Sequence, residues 1–207
     1  MFPCSGTLLD VGCGSCQITT YLAPRFEQVY AVDFSESMLA AARQRLDNLS
    51  VTNIQLLSGT AQKFPVAISG ADIILTCAVI QYLTYAEFSQ HLQECRRVLN
   101  RGGLICVGLV PDAARKKTYY YGYFTGDRFR RLRLLRSWIN ITRRRAKGYL
   151  LNDLRWDGIG NWFYQADIEN AAVEAGFEVE FRNSWFSEYR FHALLRPRPE
   201  LDYGHLD

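Results

Sequence analysis

The sequence predicts an α/β fold in which a mostly parallel sheet carries helices on both faces. Three observations lead to this prediction. The first half of the chain alternates short apolar runs with segments whose apolar residues recur at helical spacing. One of these runs, residues 72–77, is almost continuously apolar, as expected of a strand buried on both faces. A glycine-containing loop joins the first strand to the first helix, an arrangement typical of α/β proteins.

The individual elements follow from these patterns. Strands are predicted at residues 7–11, 28–33, 54–57, 72–77 and 104–110. Helices are predicted at residues 17–23, after the cap residue Ser35, and from a capping box at Thr84 and Glu87 to about residue 99. Residues 111–163 are rich in Tyr and Arg and break the alternation, so we expect an insert there. A helix at 166–175 and two antiparallel strands at 177–182 and 189–195 complete the chain.

Length and composition predict one domain, spanning residues 1–207. The chain is 48% hydrophobic and 22% charged, which is ordinary for a soluble protein, and we expect a cytoplasmic location. It contains no apolar run of about 20 residues and no signal-peptide pattern at its start. Cys13 and Cys16 form a C-x-x-C pair, but no second pair or His cluster completes a metal site, so we predict none.

Charge is distributed unevenly along the chain. Residues 113–147 contain twelve Lys and Arg and one acid, a local charge of +11, which leaves −8 on the remainder of a chain with net charge +3. Three interpretations of this basic segment stay open. The segment is a solvated helix packed on the sheet, a helix that contacts the anionic inner face of a membrane, or a segment whose Arg side chains bind a phosphate-bearing acceptor.

The loop after the first strand indicates a nucleotide-like cofactor. Asp10, Gly12 and Gly14 stand between the strand and the helix, where glycines let the backbone approach a ligand closely. Asp33 ends the second strand, 19 residues after Gly14, where a carboxylate can accept both hydroxyls of a ribose. The third glycine of a dinucleotide fingerprint is Gln17 here, and Asp10 would repel a pyrophosphate. The cationic sulfonium and ammonium of S-adenosylmethionine (SAM) suit these carboxylates better.

These motifs resemble the class I SAM-dependent methyltransferases over residues 7–196. The family motif D-x-G-x-G-x-G matches the loop, with Cys16 in place of its last glycine, and residues 59–65 resemble a further motif, with Thr60 in place of its Asp. The resemblance implies a Rossmann-like, doubly wound seven-stranded sheet of order 3-2-1-4-5-7-6, with the last strand antiparallel and a helical basic insert after strand 5. It implies SAM contacts from Asp10, Gly12, Cys13, Gly14, Asp33, Phe34, Met38, Thr60, Ala61 and Cys77.

Catalytic residues are harder to identify than cofactor contacts. Gln81 and Tyr82 follow the fourth strand beside the expected methyl group and are the candidates for positioning an acceptor. Tyr is a poor base at its usual pKa of about 10. His91, in the middle of a helix, is expected at the surface, and His192 is expected to be structural. No general base is predicted.

The sequence therefore predicts a SAM-dependent methyltransferase acting on a small-molecule or glycan-like acceptor, at oxygen, with an anionic acceptor favoured by the basic segment. The sequence signatures of DNA methylases are missing, so DNA is not an expected partner, whereas RNA stays open. The alternatives are an RNA or lipid methyltransferase, or a catalytically silent SAM-binding scaffold whose insert docks a membrane or partner. Family members carry helical residues before the first strand and about six residues precede it here, which suits a short protein or a fragment.

Overall fold

The computed structural model describes residues 5–65, 67–68, 70–116, 119, 159–185 and 187–199. Most of the expected insert 111–163 lies outside these residues, including the helix predicted in its basic segment. Within the described residues, no helix is long and apolar enough to cross a bilayer.

A seven-stranded sheet forms the centre of the described part of the molecule. Its spatial order is β3-β2-β1-β4-β5-β7-β6, which confirms the predicted order. Strands β1 to β5 run parallel, and β7 runs antiparallel to both of its neighbours, so β7 is the reversed strand. The strands are β1 Thr7–Val11, β2 Gln28–Asp33, β3 Ile54–Ser58, β4 Ala71–Cys77, β5 Leu99–Pro111, β6 Phe177–Asn183 and β7 Arg190–Pro197.

Four α-helices flank this sheet in the described residues: α1 Gln17–Leu22, α2 Glu36–Leu49, α3 Tyr85–Val98 and α4 Gln165–Glu174. The predicted caps form. The Ser35 hydroxyl accepts a hydrogen bond from the Met38 N–H, and Thr84 and Glu87 make a reciprocal capping box at the start of α3. Each cap satisfies backbone donors that have no partner inside the helix, so it defines where the chain leaves a strand edge and turns into a helix.

The core lies on both faces of the sheet. In β1, Leu8 belongs to one buried apolar cluster and the adjacent Leu9 to another, because successive side chains of a strand point to opposite faces. The larger cluster joins β1, β4 and β5 to α3 and α4 through Phe88, Leu92 and other side chains. The sheet is therefore buried between two layers, and its strand ends are free to carry a ligand site.

Two predictions about this region are wrong. Strand β5 begins at Leu99 rather than residue 104, because Leu99 pairs with Ala71 and the Asn100 side chain donates to the Gly70 carbonyl and to Asp72. The segment between the predicted end of the helix near residue 99 and the predicted start of the strand at residue 104 is thus an irregular first part of the strand. His91 is completely buried rather than at the surface, because its face of α3 packs against β4.

Candidate functional site

Two adjoining cavities lie beyond the carboxyl ends of β1, β2 and β4, and both are lined by Gly12 and Cys77. Their volumes are about 600 Å³ and about 310 Å³, which are in the range of small-molecule sites. The predicted residues Asp33, Phe34, Thr60, Ala61 and Tyr82 line the larger cavity. Asp10, Cys13 and Gly14 line the smaller one. Met38 is on the exposed side of α2 and lines neither cavity.

The glycine loop is a tight turn that places bare backbone against the cavities. The Gly12 N–H donates to the Val32 carbonyl at 2.7 Å, which ties the end of β1 to β2. Gly12 has φ +73°, and a Cβ there would lie 2.3 Å from the Val79 side chain. Gly14 has φ +53°, and a Cβ there would meet no atom within 4 Å. Gly12 is therefore required by packing, whereas Gly14 leaves open space for a ligand.

Cys16 stands where the resembling family has its last glycine. It keeps a left-handed backbone, with φ +58°, and its side chain is fully buried. The thiol packs in a small apolar cluster with Ala31 and Ala42, beneath the loop and away from the cavity lining. The substitution therefore preserves the path of the loop, although a non-glycine residue adopts this conformation at some energetic cost.

Asp33 is held rigidly at the end of β2. Its Oδ2 accepts the Gly14 N–H at 2.8 Å and its Oδ1 accepts the Ser35 N–H at 2.9 Å. The residue is only 7% exposed, although it lines the larger cavity. Each carboxylate oxygen can accept more than one hydrogen bond, so two further bonds to a ligand diol are available in principle.

Asp10 is a buried acid at the end of β1. Its pKa is raised to about 6, chiefly by burial and to a lesser extent by the nearby Asp33, although a hydrogen bond from the Thr19 hydroxyl at 2.5 Å opposes the shift. Within the described residues, neither Asp10 nor Asp33 forms a salt bridge. Two neighbouring carboxylates without a protein cation favour a positively charged ligand between or beside them.

His91 lies behind the cavity wall, in contact with the lining residue Ala61, a position that the sequence analysis missed. Its Nδ1 lies 2.9 Å from the Ala61 carbonyl and its Nε2 lies 3.0 Å from the Thr76 hydroxyl. Burial lowers its pKa to about 4, so the ring is neutral near pH 7 and its Nδ1–H donates to Ala61, which lines the larger cavity. The helical spacing of His91 with Phe88 and Cys95 was the signal that could have placed it on the buried face.

The two candidate acceptor residues lie in different surroundings. Tyr82 is half exposed and lines the larger cavity. Gln81 is 6% exposed and is not in that lining; its Oε1 accepts a hydrogen bond from Arg190, and its backbone carbonyl accepts one from Asn161. His192 accepts the Leu109 N–H through Nδ1, in keeping with a structural residue. Neither Arg190 nor Asn161 was identified from the sequence.

The chain resembles known proteins most clearly in its first half. Residues 9–107 match the family described as "Methyltransferase domain". The biotin biosynthesis bifunctional protein BioHC of Cellvibrio japonicus is 38% identical over 96 residues, which are 46% of this chain and 18% of that protein. The demethylmenaquinone methyltransferase of Bacillus mycoides is 32% identical over 103 residues, which are 48% of this chain and 43% of that protein. The chain thus spans less than half the length of these two relatives.

The fold also matches solved structures along nearly the whole chain. A SAM-dependent methyltransferase from Methanosarcina mazei superposes with a TM-score of 0.66 at 15% identity, covering 95% of this chain and 94% of that one. Magnesium protoporphyrin IX methyltransferase from Synechocystis, solved with bound S-adenosylhomocysteine (SAH), superposes with a TM-score of 0.60 at 17% identity, covering 94% and 75%. At these identities the likeness concerns the fold.

Proposed function

We propose that this chain is a class I SAM-dependent methyltransferase that transfers a methyl group from SAM to a small acceptor, a proposal supported by the match of residues 9–107 to a methyltransferase domain. One observation carries the proposal. The two cavities meet at Gly12 and Cys77, with Asp33 lining one and Asp10 lining the other. This layout suits an elongated ligand with a ribose in one half and cationic groups in the other.

The residues present fit that cofactor. Gly14 offers open space where any side chain would project into the cavity region. Asp10 is a buried carboxylate whose charge is disfavoured in the protein alone, so a cationic ligand relieves its cost. The ring of Phe34 is 77% exposed and lines the larger cavity, which supports an aromatic ring stacking on a purine rather than packing in the core.

Each residue then has a defined part. Asp33 would hold the ribose hydroxyls, Thr60 and Ala61 would border the adenine, and Asp10 would face the methionine end. When bound, SAM would supply an activated methyl group, whose bond to sulfur would break as an acceptor lone pair bonds to the methyl carbon, leaving SAH. The protein aligns the acceptor with that carbon and excludes water. An acceptor hydroxyl would release its proton to solvent in the same reaction, since no described residue is assigned as a base.

The acceptor is proposed as a small-molecule or glycan-like compound, anionic and methylated at oxygen. Tyr82, at the cavity wall after β4, supports an acceptor placed there. The relative from Bacillus mycoides is named for a quinone precursor, and the Synechocystis structure for a porphyrin, so small acceptors occur on this fold. RNA or lipid methylation and a silent SAM-binding scaffold remain the alternatives. The basic segment 113–147 supports peripheral contact with an anionic surface.

Calorimetry with SAM tests the proposal. We expect the unmodified protein to bind SAM and SAH, and Asp33→Ala to bind roughly 10- to 100-fold more weakly, because hydrogen bonds to a charged acceptor are lost. Asp47→Asn, on the exposed face of α2, is the matched control and should bind normally. Equal affinity of Asp33→Ala would remove the assignment. SAH formation with a panel of oxygen acceptors separates an enzyme from a scaffold.

A further inference from the structure

Arg190 lies across the carboxyl ends of β4 and β5. It is the first residue of β7 and pairs with Pro111, the last residue of β5. Its Nη1 donates to Oε1 of Gln81 at 3.0 Å and to the Leu109 carbonyl at 2.5 Å. Gln81 directly precedes Tyr82, which lines the larger cavity, so the guanidinium is bonded to the residue adjacent to that wall.

The positive charge of Arg190 is not neutralised by any described residue. Its two bonded partners are a neutral amide and a backbone carbonyl, and no described carboxylate lies within 4.0 Å of it. Asp112, at the same strand edge, is bonded to Arg115 and to the Ala114 N–H. A half-buried charge left without a counter-ion is costly, so a ligand anion is the natural partner.

One edge of this guanidinium stays available. Because Nη1 makes both bonds, Nε and Nη2 make no hydrogen bond within the described part of the chain. These two N–H groups point in parallel and match the two oxygens of a carboxylate or phosphate. The positive charge of Arg190 also acts on Cys77, which lines both cavities. Burial and the charge of Asp10 raise the pKa of the Cys77 thiol, and Arg190 lowers it.

Aromatic rings continue from Arg190 along the same edge. The guanidinium carbon lies 5.6 Å from the centre of the Tyr189 ring, which lies 4.7 Å from that of Tyr119. Trp162 is 5.5 Å from Tyr119, and the Lys116 ammonium lies 5.5 Å from the Trp162 ring. All three rings are half-buried. This ring cluster of Tyr119, Trp162 and Tyr189 thus presents partly exposed aromatic surface with a cation at each end.

Backbone hydrogen bonds attach the part of this cluster that carries Trp162 to the turn after β4 and to the end of β5. The Asn161 N–H donates to the Gln81 carbonyl at 2.7 Å, and the Phe163 N–H donates to the Pro111 carbonyl at 3.0 Å. The segment that carries Trp162 is therefore fastened to the turn after β4 and to the end of β5. Gly160, with φ +94°, permits this approach, since a Cβ there would lie 2.4 Å from the Gln81 carbonyl oxygen.

We propose that Arg190 and the ring cluster form an acceptor-recognition subsite for a planar-ring compound bearing an oxyanion, either a carboxylate or a phosphate. The Nε–Nη2 edge of Arg190 binds the oxyanion, and the rings contact the flat face of the acceptor. This inference rests on the proposed methyl transfer, because it names the chemistry of the acceptor that faces the cofactor cavity. The family resemblance of the glycine loop does not imply an Arg at position 190, nor aromatic residues in the ring cluster.

Probe binding to the SAH-saturated protein tests the subsite without requiring turnover. The probes are 2-naphthoate, 2-naphthyl phosphate and the uncharged 2-naphthamide, titrated calorimetrically at low salt. We expect one of the anions to bind roughly 10-fold or more tightly than the amide, and the better anion identifies the acceptor group. Arg190→Gln should abolish this preference. Arg190→Lys keeps the positive charge but lacks the paired N–H groups of the Nε–Nη2 edge, so it should also lose most of the preference for the anion over the amide.

The controls separate this inference from its premise. Arg182→Gln removes an exposed charge from β6, where Arg182 pairs with Glu180, and should leave the preference unchanged. Arg190→Lys should retain normal SAH affinity and thermal stability, so a folding defect in Arg190→Gln leaves the test intact. If the unmodified protein does not bind SAH, the methyl-transfer proposal itself is overturned. Normal SAH binding with all three probes bound equally, or none bound, would overturn the subsite alone, as would an equal effect of Arg182→Gln.

Discussion

Replacing Asp10 with Asn should stabilise the ligand-free protein and weaken SAM binding at the same time. The carboxyl group is fully buried and its pKa is raised from 3.8 to about 6. Each pKa unit corresponds to 1.36 kcal/mol, so ionised Asp10 costs the ligand-free fold about 3 kcal/mol at pH 8. Asn has nearly the same shape and its oxygen can still accept the Thr19 hydroxyl. The variant therefore removes the cost and keeps the hydrogen bond.

The sign of the pH dependence follows from the direction of the shift. A raised carboxyl pKa gives stability that is present below about pH 4 and lost as pH rises through about 6. The advantage of Asp10→Asn should therefore grow between these values and level off above them. His91 acts oppositely, because its lowered pKa of about 4 gives stability that is lost as pH falls from about 6.5. Both proteins contain His91, so its effect cancels in their difference.

Thermal unfolding of both proteins at pH 5, 6, 7 and 8 measures this difference. At this chain length 1 kcal/mol corresponds to roughly 2–4 °C, so we expect Tm to rise by about 6–12 °C at pH 8 and by about half as much near pH 5. Asp47→Asn, with an exposed carboxyl, should change Tm little at any pH. Calorimetry should show weaker SAM binding by Asp10→Asn, and binding by the unmodified protein should weaken below pH 6 as Asp10 is protonated. A Tm difference that is absent or independent of pH would refute the reasoning.

Two further predictions concern the glycine loop and the basic segment. Gly14→Ala should weaken SAM binding at least about 10-fold, measured by calorimetry, because the added Cβ enters the space proposed for the ligand. Gly102→Ala is the control: Gly102 has φ +80° and also faces open space, so this variant should bear similar backbone strain and bind SAM normally. Equal effects of the two substitutions would argue against a ligand at Gly14. In sedimentation assays, the protein should bind anionic vesicles but not neutral ones through residues 113–147, and this binding should weaken as salt is added. The double variant Arg143→Gln/Arg144→Gln should bind anionic vesicles more weakly. Binding that does not depend on salt or on lipid charge would contradict this prediction.

The sequence by itself determined the parts of this protein that depend on local chemistry. Apolar runs alternating with helical patterns sufficed for the parallel sheet, because side-chain periodicity is a property of neighbouring residues. Gly12 and Gly14 were recognisable because only glycine adopts positive φ without strain, and Asp33 because strands of a parallel sheet end at one edge. Family motifs then supplied the strand order, including the reversed β7.

Only the tertiary structure decided which distant residues meet at that edge. Arg190 contacts Gln81 across 109 residues of sequence, a pairing that no local pattern encodes. His91 is neutral and bonded to the Ala61 carbonyl because α3 packs on β4, although a histidine in a helix favours the surface by its polarity. The raised pKa of Asp10 likewise arises from burial by surrounding elements rather than from its neighbours in sequence. Contacts, burial and pKa values depend on packing in three dimensions, and packing at long sequence separation is what a linear pattern leaves undetermined.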